Sequence, residues 1–144
     1  MNKIKVKILR LNNQTPLPYQ ATPAAAGYDL TAAEDTIIKS HSFGIVSTGI
    51  ALELPPGVEA QVRPRSGLAF HHGIGVLNSP GTIDPDYRGE IKVILFNASN
   101  QDFSIKAGDR IAQLVFSRIL PVEFEETGHL SPTKRNQGGF GHTG

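Results

Sequence analysis

The sequence predicts an all-β chain, folded as a jelly-roll sandwich or barrel with one short helix. Three observations carry this. Apolar and polar residues alternate in many short runs, the period of half-buried strands. The chain of 144 residues holds 15 glycines and 10 prolines, so its elements are short and joined by turns. No stretch shows the 3.6-residue periodicity of a helix of ordinary length. About ten short strands at regular spacing point to a sandwich or barrel.

In order along the chain, residues 3–9 alternate lysine with apolar side chains and read as a strand. Residues 12–23 carry Pro16, Pro18 and Pro23 and read as a loop. Ala24-Ala25-Ala26 suits a helix start, but Gly27 and Tyr28 favour an extended segment with Asp29 pointing opposite to Tyr28 and Leu30. Short strands follow at Ile37, 43–46 and 50–54, stopped by Pro55-Pro56-Gly57. Val58, Ala60 and Val62 alternate with Glu59, Gln61 and Arg63 in a clean strand. Ser66 is placed to cap a helix of a turn or two through Phe70, with His71 and His72 as surface residues after it. Residues 74–77, 91–96, 103–105, 110–116 and 122–124 complete the strands. Residues 81–92 read as a hairpin with a broad turn.

Composition narrows the function. Apolar residues make up 39 % of the chain, ordinary for a single globular domain. Lysine and arginine number 14 against 13 acidic residues, a formal net charge of +1. Bulk charge therefore recruits neither nucleic acid nor an anionic membrane. There is no cysteine, which excludes thiolate chemistry and disulfides and suits a reducing, cytoplasmic setting. No run approaches the roughly 18 apolar residues of a membrane helix, and the first residues have no signal-like apolar core.

Four stretches carry chemistry beyond what turns and strands need. Gly81-Thr82-Ile83-Asp84-Pro85-Asp86-Tyr87-Arg88-Gly89 packs two carboxylates, a ring and a guanidinium into five residues. Asp84 is the candidate catalytic group; the alternative is a surface turn with solvated charges. Arg65, Ser66 and Gly67 at a helix start offer free N–H groups and a bidentate donor to phosphate; the alternative is a capped turn with a surface arginine. In Gly108-Asp109-Arg110-Ile111-Ala112-Gln113, Asp109 and Arg110 are expected to pair, and Gln113 either faces solvent or donates to a ligand. The tail from Arg135 has four glycines in ten residues, so it is expected to be mobile; glycine backbone with Arg135 and Thr143 can wrap phosphate, and Phe140 lacks anything to pack on unless a base stacks there. The plain alternative is a disordered end. This divides the chain into a body, 1–134, and a glycine-rich arm, 135–144, that can wrap a phosphate ligand.

Taken with Ala26-Gly27-Tyr28-Asp29-Leu30 and in this order, these segments resemble the five motifs of the trimeric dUTPases (deoxyuridine triphosphate nucleotidohydrolases) over nearly the whole chain. The resemblance implies a jelly-roll homotrimer with three shared active sites that hydrolyses dUTP to dUMP and pyrophosphate with Mg²⁺, keeping uracil out of DNA and supplying dUMP for thymidylate. It implies Asp84 as the base for the attacking water. Asn78, Thr82, Ile83, Asp84 and Lys92 would read the uracil, and Tyr87 would exclude a 2′-hydroxyl. Arg65, Ser66, Gly67 and Gln113 would hold phosphates. Arg135 and Thr143 would clamp the γ-phosphate while Phe140, beside Gly141, stacks on the base. Asp29 would touch the metal through water. His142 departs from the family pattern, which has a small hydroxyl residue there. The competing readings are a dCTP deaminase-like enzyme and a nucleotide-gated protein-binding module of the same fold.

Overall fold

Alternation drives the architecture: Val58, Ala60 and Val62 are buried while Glu59 and Gln61 are not, and Ile91, Val93, Leu95 and Asn97 are buried between less buried neighbours. Strands of this kind must cover one face, and they do so by stacking two sheets. The computed structural model describes residues 2–144. It contains β1 (Lys7–Arg10), β2 (Gly27–Thr31), β3 (Thr36–Ile38), β4 (Ser42–Glu53), β5 (Val58–Arg63), α1 (Ser66–His72), β6 (Ile74–Val76), β7 (Gly81–Ile83), β8 (Glu90–Asn97), β9 (Phe103–Ile105) and β10 (Arg110–Arg118). One sheet runs β1-β4-β8-β6, the other β2-β10-β5-β7, and β3 and β9 form a separate ribbon; all pairs are antiparallel.

This is a jelly-roll sandwich whose sheets do not close into a barrel. Leu30, Val62, Ile83, Ile111 and Leu114 from one sheet join Val46, Ile50, Ile74, Val93 and Leu95 from the other in a single core. Each fully buried side chain of this size contributes roughly 1.5–3 kcal/mol. The ribbon is tied on by Asn97, only 2 % exposed, whose Nδ2 donates to Ile38 O at 3.0 Å and Gln101 O at 2.8 Å. At the ribbon's ends the Ser40 N–H holds the Asp102 carboxyl below its usual range, and the Ala107 N–H does the same for Asp35.

Several local expectations change. The two strands expected at 43–46 and 50–54 are one strand, β4, with an irregularity between Ser47 and Ala51. Residues 81–92 are not a β-hairpin: β7 pairs with β5 and β8 pairs with β4 and β6, so the turn crosses from one sheet to the other. Arg65, not Ser66, is the helix N-cap, and it makes no side-chain cap bond; Ser66 is the first helical residue. His71 and His72 lie in the last turn of α1 rather than after it, and the His72 ring packs on Phe103 with centroids 5.0 Å apart. Residues 122–124 form no strand and pair with no ladder among the described residues; Val122 and Phe124 stand 68 % and 95 % exposed.

Candidate functional site

The crossing turn has a physical logic of its own. Asp84 O accepts the Tyr87 N–H at 3.1 Å, which puts Asp84 at the first and Pro85 at the second position of a β-turn, where aspartate and proline are favoured. The Tyr87 ring then lies over Gly89, where a Cβ would collide with it, and its hydroxyl donates to Glu90 O at 2.9 Å. The turn therefore hands the chain to β8 with the ring fixed beside it.

Between the turn and the two sheets is a pocket of ≈ 290 Å³. Asn78, Thr82, Ile83, Asp84, Tyr87 and Lys92, six residues singled out from sequence, all line it. Ile45, Val62, Glu90 and Ile94 also line it and were not foreseen. Ile45 arrives through the β4–β8 pairing, opposite Ile94, and no local signal could have announced that. A larger depression, ≈ 530 Å³, is lined among others by Lys5, Lys7, Glu53 and Arg88, and contains none of the foreseen site residues, so size does not locate the chemistry.

A second cluster sits where β5 runs into α1. Gln113 lies opposite Arg63 and its Nε2 donates to Pro64 O at 2.9 Å, bracing the segment that leads to Arg65, Ser66 and Gly67. The Gln113 amide is thus a strut between β10 and the segment that leads to the helix. Asp29, 9 % exposed, accepts Arg65 Nε at 3.2 Å and Arg110 Nη1 at 3.5 Å. The expected Asp109–Arg110 pair does not form: Arg110 reaches Asp29, and Asp109 accepts the Lys106 N–H at 2.9 Å. None of Arg65, Ser66, Gly67 and Gln113 lines the pocket described above.

Gly27 explains how Gln113 is held. The Gln113 side chain lies directly on Gly27, and a Cβ there would overlap its amide. Gly27→Ala is therefore expected to displace the Gln113 amide from Pro64 and to destabilise the fold by about 1–2 kcal/mol, the worth of the lost hydrogen bond and its orphaned carbonyl. Urea unfolding checks this; an unchanged midpoint would mean that the amide swings aside without cost.

The arm stays by itself. Among the described residues its hydrogen bonds remain within 133–144: Arg135 Nε donates to Gly138 O at 2.8 Å, and backbone turns close Arg135–Gly138, Gly139–His142 and Gly141–Gly144. The His142 ring packs on Gly138, Phe140 is fully exposed, and Thr143 is exposed beyond it.

Among the described residues no three His, Cys, Asp or Glu side chains gather as a metal-binding group. Asp29 has one guanidinium on each oxygen, which leaves lone pairs for a water of hydration. Those lone pairs suit the hydration shell of a hard cation such as Mg²⁺.

The dUTPase family model matches residues 13–144. The chain is 53% identical over 144 residues to a deoxyuridine 5'-triphosphate nucleotidohydrolase of Helicobacter hepaticus, covering 100% of this chain and 91% of that protein. It is 53% identical over 141 residues to one of Nautilia profundicola, covering 98% and 99%. In three dimensions it resembles a Staphylococcus bacteriophage 80alpha dUTPase solved with dUpNHpp, TM-score 0.90 at 21% identity over 97% and 98% of the two chains. It also resembles the phage phi11 dUTPase of S. aureus, described with a structural Mg(II) ion, TM-score 0.79 at 20% identity over 87% and 97%. The structural likenesses speak to the jelly-roll fold, and the family-model match and the sequence identities place the chain: it belongs to the dUTPase family.

Proposed function

We propose that this chain is a dUTP diphosphatase, hydrolysing dUTP to dUMP and pyrophosphate. The observation that carries the reading is the single pocket in which Asn78, Thr82, Ile83, Asp84, Tyr87 and Lys92 converge. Backbone and amide groups of Asn78 and of 82–84 suit the edge of a uracil, and the Tyr87 ring suits the flat side of a deoxyribose. Asp84 accepts a proton from the attacking water as its oxygen bonds to the α-phosphorus; the bond from that phosphorus to the bridging oxygen breaks, and pyrophosphate leaves. Arg65, Ser66, Gly67 and Gln113 hold the phosphates; Arg65 can turn from Asp29 toward a dianion without leaving that carboxylate uncompensated, because Arg110 remains. Mg²⁺ borne on the triphosphate, with Asp29 on its hydration shell, supplies charge neutralisation when bound.

The site is shared between three copies. This is supported by the separation of the pocket from the Arg65–Gln113 cluster within one chain and by the segment after β10. There Ile119, Leu120, Val122, Phe124 and Leu130 are exposed, interleaved with Glu123, Glu125 and Glu126. The segment carrying β1 continues a lysine-apolar alternation from Lys3 to Ile8, and among the described residues its outer edge has no strand partner. Apolar faces and opposite charges of this kind suit strand addition between copies. A cytoplasmic setting fits a nucleotide substrate and a cysteine-free chain; no helix among the described residues is long and apolar enough to cross a membrane.

Pyrophosphate release from dUTP, with no ammonia from dCTP, tests the reading against a deaminase. Ammonia release, or nucleotide binding without turnover, would replace it. Tyr87→Ala is expected to raise UTP hydrolysis relative to dUTP by about 10-fold or more, because the ring is the rigid group beside C2′. Equal kcat/KM ratios in variant and parent would assign the exclusion to another group.

A further inference from the structure

We propose that Glu90 is a positioning residue for sugar discrimination: its carboxylate clamps an irregularity in β4, and its backbone carbonyl holds the hydroxyl of Tyr87. The inference rests on the reading of the pocket as the dUTP site.

Ser47 lies opposite Lys92 and Ala51 opposite Glu90, so β4 spends Thr48, Gly49 and Ile50 where β8 has Ile91 alone. The surplus residues lose their ladder partners, and each buried amide or carbonyl then needs another. Three contacts supply them. The Thr48 hydroxyl donates to Ile91 O. Gly49 O accepts the Leu11 N–H at 2.8 Å. The Gly49 N–H donates to Glu90 Oε2 at 3.0 Å. Gly49 sits at φ 71, a left-handed conformation that glycine adopts without strain.

The same residue closes the crossing turn from its other end. Glu90 is the first residue of β8, and its carbonyl is the acceptor for the Tyr87 hydroxyl at 2.9 Å. The carboxylate of Glu90 fixes where β8 begins against β4; the position of that carbonyl follows, and with it the ring. Glu90 also lines the pocket, with its Oε2 committed to the Gly49 N–H. The chain of contacts is Gly49 to the Glu90 carboxylate, Glu90 carbonyl to Tyr87, and Tyr87 to the sugar.

A purely structural clamp and a sugar-positioning clamp make different predictions. Both lower stability when Glu90 is shortened, but only the second changes the choice between dUTP and UTP. The experiment measures kcat/KM for both nucleotides and the urea midpoint in Glu90→Ala, Glu90→Asp, Glu90→Gln, Tyr87→Phe and the Glu90→Ala/Tyr87→Phe pair. Glu90→Ala is expected to erode the dUTP preference by about tenfold, the worth of one hydrogen bond to a charged group. Glu90→Gln, which keeps an acceptor for the Gly49 N–H, is expected to retain the parent preference. Tyr87→Phe, which keeps the ring but frees it, is expected to mimic Glu90→Ala, and the double variant to add little, since the two act through one contact. Glu90→Asp reaches short of Gly49 and carries the same expectation as alanine if the alanine variant does not fold. A parent preference in Glu90→Ala or Glu90→Asp with only a lowered midpoint would overturn the proposal. So would a Glu90→Gln variant as permissive as alanine, because charge rather than positioning would then act. Failure of the underlying site reading shows separately, as a parent protein without dUTP preference or a Tyr87→Ala variant unchanged in it.

Discussion

Asp84→Asn is expected to bind dUTP nearly as the parent does and to turn it over ~10²–10⁴-fold more slowly, the usual contribution of a general base. The substitution isolates the chemistry because the turn does not depend on the charge. The turn is closed by the Asp84 carbonyl and the Tyr87 N–H, with Pro85 between, and asparagine is as well suited as aspartate to the first position. Asp84 is exposed and lines the pocket, so a water in the pocket can reach it without a cavity having to open. An amide oxygen still accepts a hydrogen bond from that water but is far too weak a base to take its proton. Isothermal titration with a non-hydrolysable dUTP analogue gives the binding arm, and pyrophosphate release gives the turnover arm. Turnover within a few-fold of the parent, with unchanged binding, would remove Asp84 from the reaction.

Removal of residues 135–144 is expected to leave the body folded and the proposed three-copy assembly intact, and to slow dUTP turnover by about 10²-fold, the scale of losing a positioning element near the reacting atoms. The arm contributes no residue to the core, and its hydrogen bonds are internal among the described residues. Its glycines and one ring do not offset the entropy of ordering it unless a nucleotide supplies the missing contacts. Phe140 over the base, with Arg135 and Thr143 on the γ-phosphate, would supply them and exclude water at the same time. Binding of dUMP, which has no γ-phosphate, should change much less than binding of a triphosphate analogue. Light scattering checks the assembly, and the segment 119–134, retained in this variant, keeps the exposed apolar residues available to a neighbour. Full activity in an intact truncated assembly would return the arm to an unstructured end.

Much of this protein was legible in its residues. Alternation at Val58–Arg63 and along Glu90–Asn97 announced strands because a side chain's face follows from its neighbours alone. Aspartate, proline and tyrosine at 84, 85 and 87 announced a turn with chemistry because turn preferences are local too. What those residues could not say was which strands pair. The segment 81–92 looked like a hairpin because Gly and Pro flank a strand; packing two sheets over one core instead sent β7 to β5 and β8 to β4. Val122 and Phe124 have strand-forming character, yet among the described residues no sheet edge pairs with them. Polar partners were equally hidden. Asp109 stands next to Arg110 in sequence, but its carboxylate closes the preceding turn on the Lys106 N–H, and pairing β10 with β2 brings Arg110 to Asp29. Nothing local marked Glu90, yet the β4 irregularity makes its carboxylate the partner of the Gly49 N–H. Residue types, turns and strand faces are short-range properties, so the amino-acid sequence by itself determined the fold class and the segments that carry chemistry. Pairing, register and the partner of each buried polar group depend on contacts between residues tens of positions apart, and only the tertiary structure decided those.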